Sequence, residues 1–143
     1  MTQIPATPLA AAVDAAFAGP DALLALGIPA CPSCDLLTVT LGEIAAARSD
    51  LRVLRATMDT PQDWASRETL LWPRGIHVSR ASVPAMVLVR AGRVIASRQG
   101  GGPAAVLDEW ISEHLGAATQ PLPSGISARE REMLDGLAQR RAG

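Results

Sequence analysis

The sequence contains no lysine and no tyrosine, and it has one phenylalanine, three tryptophans and two cysteines in 143 residues. Each scarcity narrows the possibilities. With so few aromatics there is no set of stacking platforms for single-stranded nucleic acid. All positive charge is carried by arginine, and those arginines are scattered rather than clustered at a net charge of −1, so no phosphate-backbone footprint is present. No run approaches the roughly 18–20 apolar residues that would span a bilayer. Neither nucleic acid nor a membrane is expected as a partner. Two cysteines are too few for a disulfide scaffold, and a chain of this length does not need one to bury a core.

The hydrophobic share is 48%, but 26 of those residues are alanine, so the expected core combines small side chains with Leu, Val and Ile. The Ala-rich N-terminus lacks a basic leader and carries Asp14 within its apolar stretch. It reads as a helix rather than a secretory signal, and the expected location is cytoplasmic. In a reducing compartment two closely spaced cysteines point to catalysis or metal binding rather than to a structural bridge.

Along the chain, Thr7-Pro8 and Gly19-Pro20 bracket a first helix over 7–19, with Leu9, Val13, Ala16 and Phe17 at helical spacing. The short run "DALLALGI" is expected as a buried strand. "DLLTVTLGEIAAARSD" repeats Leu37, Leu41 and Ile44 at helical intervals, and "LRVLRATM" alternates as a second strand. Thr60-Pro61 opens a helix expected to run through Trp64, Leu70 and Leu71 to Pro73. "AMVLV" and "RVIAS" make a hairpin about Ala91-Gly92. A last helix carries Val106, Leu107, Trp110, Ile111 and Leu115 on one face. The order β-α-β-α-β-β-α, after an additional helix, predicts an α/β domain over 1–116. In it, a parallel pair is joined by a right-handed crossover and closed by an antiparallel hairpin. Residues 117–126 read as a linker. Residues 127–143 read as a helical tail, opened by a capping box from Ser127 to Glu130.

Both cysteines stand in "PACPSCD", where the first strand delivers the chain into a helix. A thiol at Cys31 then faces unsatisfied N–H groups and the positive end of a helix dipole, which favour its thiolate, the reactive nucleophile. Cys34 lies almost one turn on, within reach to resolve a mixed disulfide. Pro32 suits the first helical turn because it has no N–H to leave unpaired, and Ser33 is small enough to leave a thiolate approachable. Against this stands the simpler reading of two buried small apolar residues. A second feature is "SVP": Pro84 begins an internal strand, where a missing donor is tolerated. A cis Val83–Pro84 bond would leave the Val83 backbone free to pair with an extended, cysteine-bearing peptide.

"CPSC", "SVPAMVLVRAGRVIASRQGG" and "AVLDEWISEHL" together resemble the thioredoxin superfamily, over about residues 20–116. The resemblance implies a thioredoxin-like fold with a central mixed sheet of about four strands flanked by helices. It implies Cys31 as the attacking thiol, Cys34 as the resolving thiol, Pro84 as a cis proline beside them, and Val83 as the residue whose backbone meets the substrate. Pro32 and Ser33 complete the substrate-facing motif. The implied activity is thiol–disulfide exchange on a disulfide-containing protein, with a reductase or glutathione as electron donor and without metal or organic cofactor.

Three positions depart from the family pattern. Ala30 stands where a Trp usually precedes the first cysteine, Ala25 where an acid lies beneath the pair, and Arg55 where a lysine neighbours that acid. "CPSC" with "SVP" is also similar to glutaredoxins, whose corresponding motifs frame a glutathione site, which would make this a reductase using glutathione. The same fold also serves assembly chaperones and adaptors in which the CxxC is dispensable. Asp35 is expected chiefly as a partner of the helix dipole, and His77 and His114 as solvated surface residues. Gly100-Gly101-Gly102 fits a tight turn near the substrate groove rather than a nucleotide loop. A metal shared between two chains through the cysteines is a further alternative; the number of subunits does not follow from the sequence.

Overall fold

The structure, a computed structural model, describes residues 4–123. The tail expected over 127–143 and the end of the expected linker lie outside the described residues. Ten short elements are arranged as α1 (Leu9–Phe17), β1 (Ala22–Gly27), α2 (Pro32–Ala47), β2 (Arg52–Thr57) and α3 (Pro61–Ala65), then a π-helical turn (Arg67–Leu71) and a 3-10 turn (Trp72–Arg74), then β3 (Ala85–Arg90), β4 (Arg93–Gln99) and α4 (Ala104–Leu115). One four-stranded mixed sheet runs in the order β2-β1-β3-β4. β1 pairs parallel with β2 and antiparallel with β3, and β3 pairs antiparallel with β4. This is the thioredoxin-like architecture expected from the sequence.

The apolar run of β1 follows from its place. It is an inner strand covered on both faces, so all of Ala22 to Leu26 are buried and no polar alternation survives. On one face Leu24 and Leu26 join α1 residues Ala12, Val13 and Ala16, with Met58, Leu71 and Ile76. On the other, Leu23 and Ala25 join Leu37, Leu41 and Ile44 of α2 and Leu107 and Ile111 of α4. The hairpin turn places Ala91 at φ 52° and Gly92 at φ 74°, the left-handed pair that matches the twist of the flanking strands.

Three boundaries differ from the sequence-based expectation. α1 spans Leu9–Phe17, not 7–19, and Thr7 does not cap it. The Thr7 N–H instead donates to Arg55 O at 2.7 Å, and Ala6 bridges to Arg55, so the N-terminal segment is drawn to the free edge of β2. The helix expected from Thr60 to Pro73 breaks after Ala65. Ser66 Oγ bonds back to Gln62 O at 2.8 Å, and the wider turn that follows carries Leu71 fully into the core. Within the segment expected as a linker, the Thr119 and Gln120 N–H groups both donate to Ala47 O at 3.1 Å, and Leu122 is buried beside α2 and α4. An apolar side chain within reach of a core is drawn into it whatever the turn signals around it.

Candidate active site

The short β1–α2 connection delivers the cysteines. Ala30 takes φ 54°, an uncommon conformation for a residue with a Cβ, and turns the chain so that Cys31 becomes the N-cap of α2. Cys31 is extended at φ −119°, ψ 102°, and its Sγ accepts the Cys34 N–H at 3.2 Å. Pro32 occupies the first helical turn, where its missing N–H costs nothing. Cys31 and Cys34 form a disulfide with Cα atoms 5.2 Å apart. Both cysteines are half-buried, while Pro32 and Ser33 are exposed. A sulfur at Cys31 thus meets a backbone donor and the positive end of a 16-residue helix.

Gly27 closes the site from β1. A Cβ there would lie 3.1 Å from Cys34 Sγ and 3.2 Å from Cys34 Cβ, tighter than ordinary packing, so a side chain at this position would press on the second cysteine. The sequence reading missed this residue; the one signal for it is a glycine ending an otherwise apolar strand seven residues before Cys34.

The Val83–Pro84 peptide is cis. Pro84 is buried at the head of β3, and its carbonyl accepts the Gly100 N–H at 2.7 Å. Val83 is half-buried and packs against the core face that α1 covers. Pro84 and Cys34, 50 positions apart in sequence, line one cavity of about 90 Å³ together with Ala25, Gly27, Asp35 and Arg55. The structure therefore brings the CxxC and Pro84 together. His77 does not line this cavity; it is exposed and stacks on Trp72, with ring centroids 6.5 Å apart. His114 lies edge-on to Trp110 on α4.

A second surface adjoins the motif. Ser33, Leu36, Val39, Gly101 and Pro103 line an open apolar groove of about 640 Å³ between α2 and the loop before α4. Leu36 is 72% exposed two residues beyond Cys34. It stands off the buried Leu37-Leu41-Ile44 face of α2, a displacement visible in the sequence though not read from it. Among the described residues no group of three or more His, Cys, Asp or Glu side chains is placed to hold a metal ion. Among the same residues no helix is long and apolar enough to cross a membrane.

No protein-family model matches the sequence, and no curated protein sequence matches it. Solved structures do. The reduced form of desulfothioredoxin from Desulfovibrio vulgaris Hildenborough matches with a TM-score of 0.62 and 19% identity, over 79% of this chain and 99% of that chain. Thioredoxin f2 from Chlamydomonas reinhardtii gives a TM-score of 0.61 and 16% identity, over 79% of this chain and 97% of that chain. Oxidised thioredoxin from Plasmodium falciparum gives 0.59 and 10%, over 80% and 98%. At these identities the likeness establishes the fold: this chain is a thioredoxin-fold domain carrying a CxxC disulfide at the start of its second helix.

Proposed function

We propose that this thioredoxin-fold domain is a thiol–disulfide oxidoreductase acting on disulfide-containing proteins. The observation that carries the reading is the place of Cys31: N-cap of α2, its sulfur accepting the Cys34 N–H, with Cys34 within disulfide reach. In the dithiol form the Cys31 thiolate attacks one sulfur of a substrate disulfide. The substrate S–S bond breaks, the other substrate sulfur leaves as a thiolate and takes a proton, and a Cys31–substrate disulfide forms. Cys34 then loses its proton and attacks Cys31 Sγ, closing the Cys31–Cys34 bond and releasing the second substrate thiolate. Two electrons pass from the cysteine pair to the substrate. A dithiol reductase or glutathione restores the pair, which suits a reducing compartment such as the cytoplasm. Val83 precedes the β3 ladder, so its backbone groups serve to pair an extended substrate strand. Pro32, Ser33 and Pro84 form the floor on which that strand lies.

The test is trapping. Cys34→Ser is expected to hold protein substrates as mixed disulfides on Cys31, visible on non-reducing gels and discharged by a dithiol. Cys31→Ser is expected to abolish insulin disulfide reduction. Absence of any trapped adduct, with insulin reduction no faster than the uncatalysed reaction, would overturn the reading. A second reading, an assembly chaperone or adaptor with a dispensable CxxC, is favoured by one observation, the exposed Leu36 beside an apolar groove. Retention of cellular function by Cys31→Ser would select it.

A further inference from the structure

The segment between β2 and β3 carries a charge cluster that thiol exchange itself does not use. Ser79 and Ser82 close a tight turn: the Ser82 N–H donates to Ser79 O at 3.0 Å, and the Ser79 N–H donates to Ser82 Oγ at 2.7 Å. Arg80 stands at the tip of that turn, and Ser82 leads directly into the cis Val83–Pro84 peptide. The Arg80 guanidinium carbon lies 4.5 Å from the centroid of the Trp64 ring. That of Arg67 lies 5.1 Å from the same centroid and 5.9 Å from that of Trp72. Arg67 is fixed by two carbonyls, its Nε donating to Trp64 O at 3.0 Å and its Nη1 to Val78 O at 3.1 Å.

Held against one indole, the two charges stand within about 10 Å of each other, the screening length at 0.1 M salt, so their fields add. Among the described residues neither forms an ion pair; the bridges present are Arg48–Asp108 and Arg90–Asp21. Asp63, the acid beside Trp64, already accepts the Thr60 and Asp59 N–H groups. Arg80 is exposed and meets no acceptor among the described residues, so its forked N–H donors are open to a ligand. A guanidinium can rest on an aromatic face and still donate from its edge to both oxygens of a carboxylate.

We propose that Arg80, with Arg67 beside the same ring, binds a carboxylate side chain of the substrate protein, so that the domain selects disulfides flanked by Asp or Glu. This rests on the oxidoreductase reading and names its substrate class. The position follows from the chain. Arg80 precedes Val83 by three residues, a span of at most about 11 Å. An extended substrate strand on the Val83 backbone advances about 3.3 Å per residue. When its cysteine lies opposite Val83, a carboxylate about three residues away comes level with the Arg80 guanidinium.

The experiment measures, by fluorescence anisotropy, the binding of short labelled peptides with serine in place of cysteine to the oxidised full chain. One peptide carries glutamate about three residues to either side of the serine, a second carries glutamine there, and a third has the glutamates moved to about six residues away. The first should bind about fivefold tighter than the second at low salt. The third should bind no tighter than the second, and about 1 M salt should erase the difference. Arg80→Gln should bring the first two peptides to equal affinity, while Arg80→Lys, which keeps the charge and loses the fork, should keep part of the preference. With the cysteine restored and held in a disulfide, the nearby glutamates should lower KM for reduction about fivefold. Equal affinity for the first and second peptides, equal affinity for the first and third, a preference that survives Arg80→Gln, or no binding of the first would overturn the proposal. The binding measurement involves no thiol exchange, so failure of this site and failure of the oxidoreductase reading are told apart.

Discussion

Gly27 passes so close beneath Cys34 that a single added methyl would sit 3.1 Å from the sulfur. In the oxidised protein that sulfur is tethered to Cys31 and cannot swing away; in the dithiol it can. Gly27→Ala is therefore expected to destabilise the disulfide form more than the dithiol form. Overpacking of this kind costs about 1–3 kcal/mol. A glutathione redox titration should show the pair favouring the reduced state by about tenfold. An unchanged equilibrium would show that the strand yields instead.

Leu36 exposes most of its surface next to the motif, where an apolar side chain has no packing role. Leu36→Ser should leave the unfolding temperature unchanged, raise KM for insulin several-fold, and leave reduction of a small aromatic disulfide untouched. Equal losses on both substrates would show that the groove does not contact protein substrates.

Arg48 and Asp108 lock the end of α2 to α4. Arg48 Nε donates to Asp108 Oδ1 at 3.0 Å, Nη1 to Gly116 O at 2.8 Å and Nη2 to Ser112 Oγ at 2.6 Å, with both charged residues buried. Asp108→Ala strands a buried guanidinium and should cost about 3–5 kcal/mol in a urea unfolding series. Ser112→Ala removes one of several partners and should cost about 1 kcal/mol.

The Thr60–Asp63 capping box is expected to respond to acid. Asp63 accepts the Thr60 and Asp59 N–H groups, and these hydrogen bonds, that from Thr60 first, hold its carboxyl below the ordinary value. A lowered carboxyl stabilises the fold above the unfolded value of about 4, and the contribution is lost as pH falls through the folded value. The stability difference between the native chain and Asp63→Asn should be constant above about pH 5 and shrink below about pH 4. Thr60→Ala should cost about 1 kcal/mol at neutral pH.

Ala91 occupies the first turn position of the β3–β4 hairpin at φ 52°, where Asn-Gly is the preferred pair. Ala91→Asn is expected to stabilise the protein by up to about 1 kcal/mol in thermal unfolding, because Asn tolerates the left-handed conformation better than Ala, with insulin reduction unchanged.

What the sequence determined by itself was the order of the elements and the place of the chemistry. Buried strands read as continuous apolar runs, helices as three- and four-residue repeats, and the CxxC stands between an apolar strand run and a helical repeat, with Pro32 suited to a first helical turn. Pro84 declared itself by standing at the head of a strand. These signals are local: each depends on residues within one turn or one pleat of one another. The contacts around Cys34 are not local. That a Cβ at Gly27 would press on its sulfur, and that Ala25 and Arg55 share a cavity with it, depend on the β1–β2 register and on how α2 crosses the sheet. The same holds for Thr7, whose backbone went to a strand edge rather than a helix cap, and for Leu122, which packed into the core from a stretch that reads as linker. Pairing across a sheet is specified by total burial and hydrogen-bond satisfaction over the whole domain, so only the assembled fold could decide which side chains face the reacting sulfur.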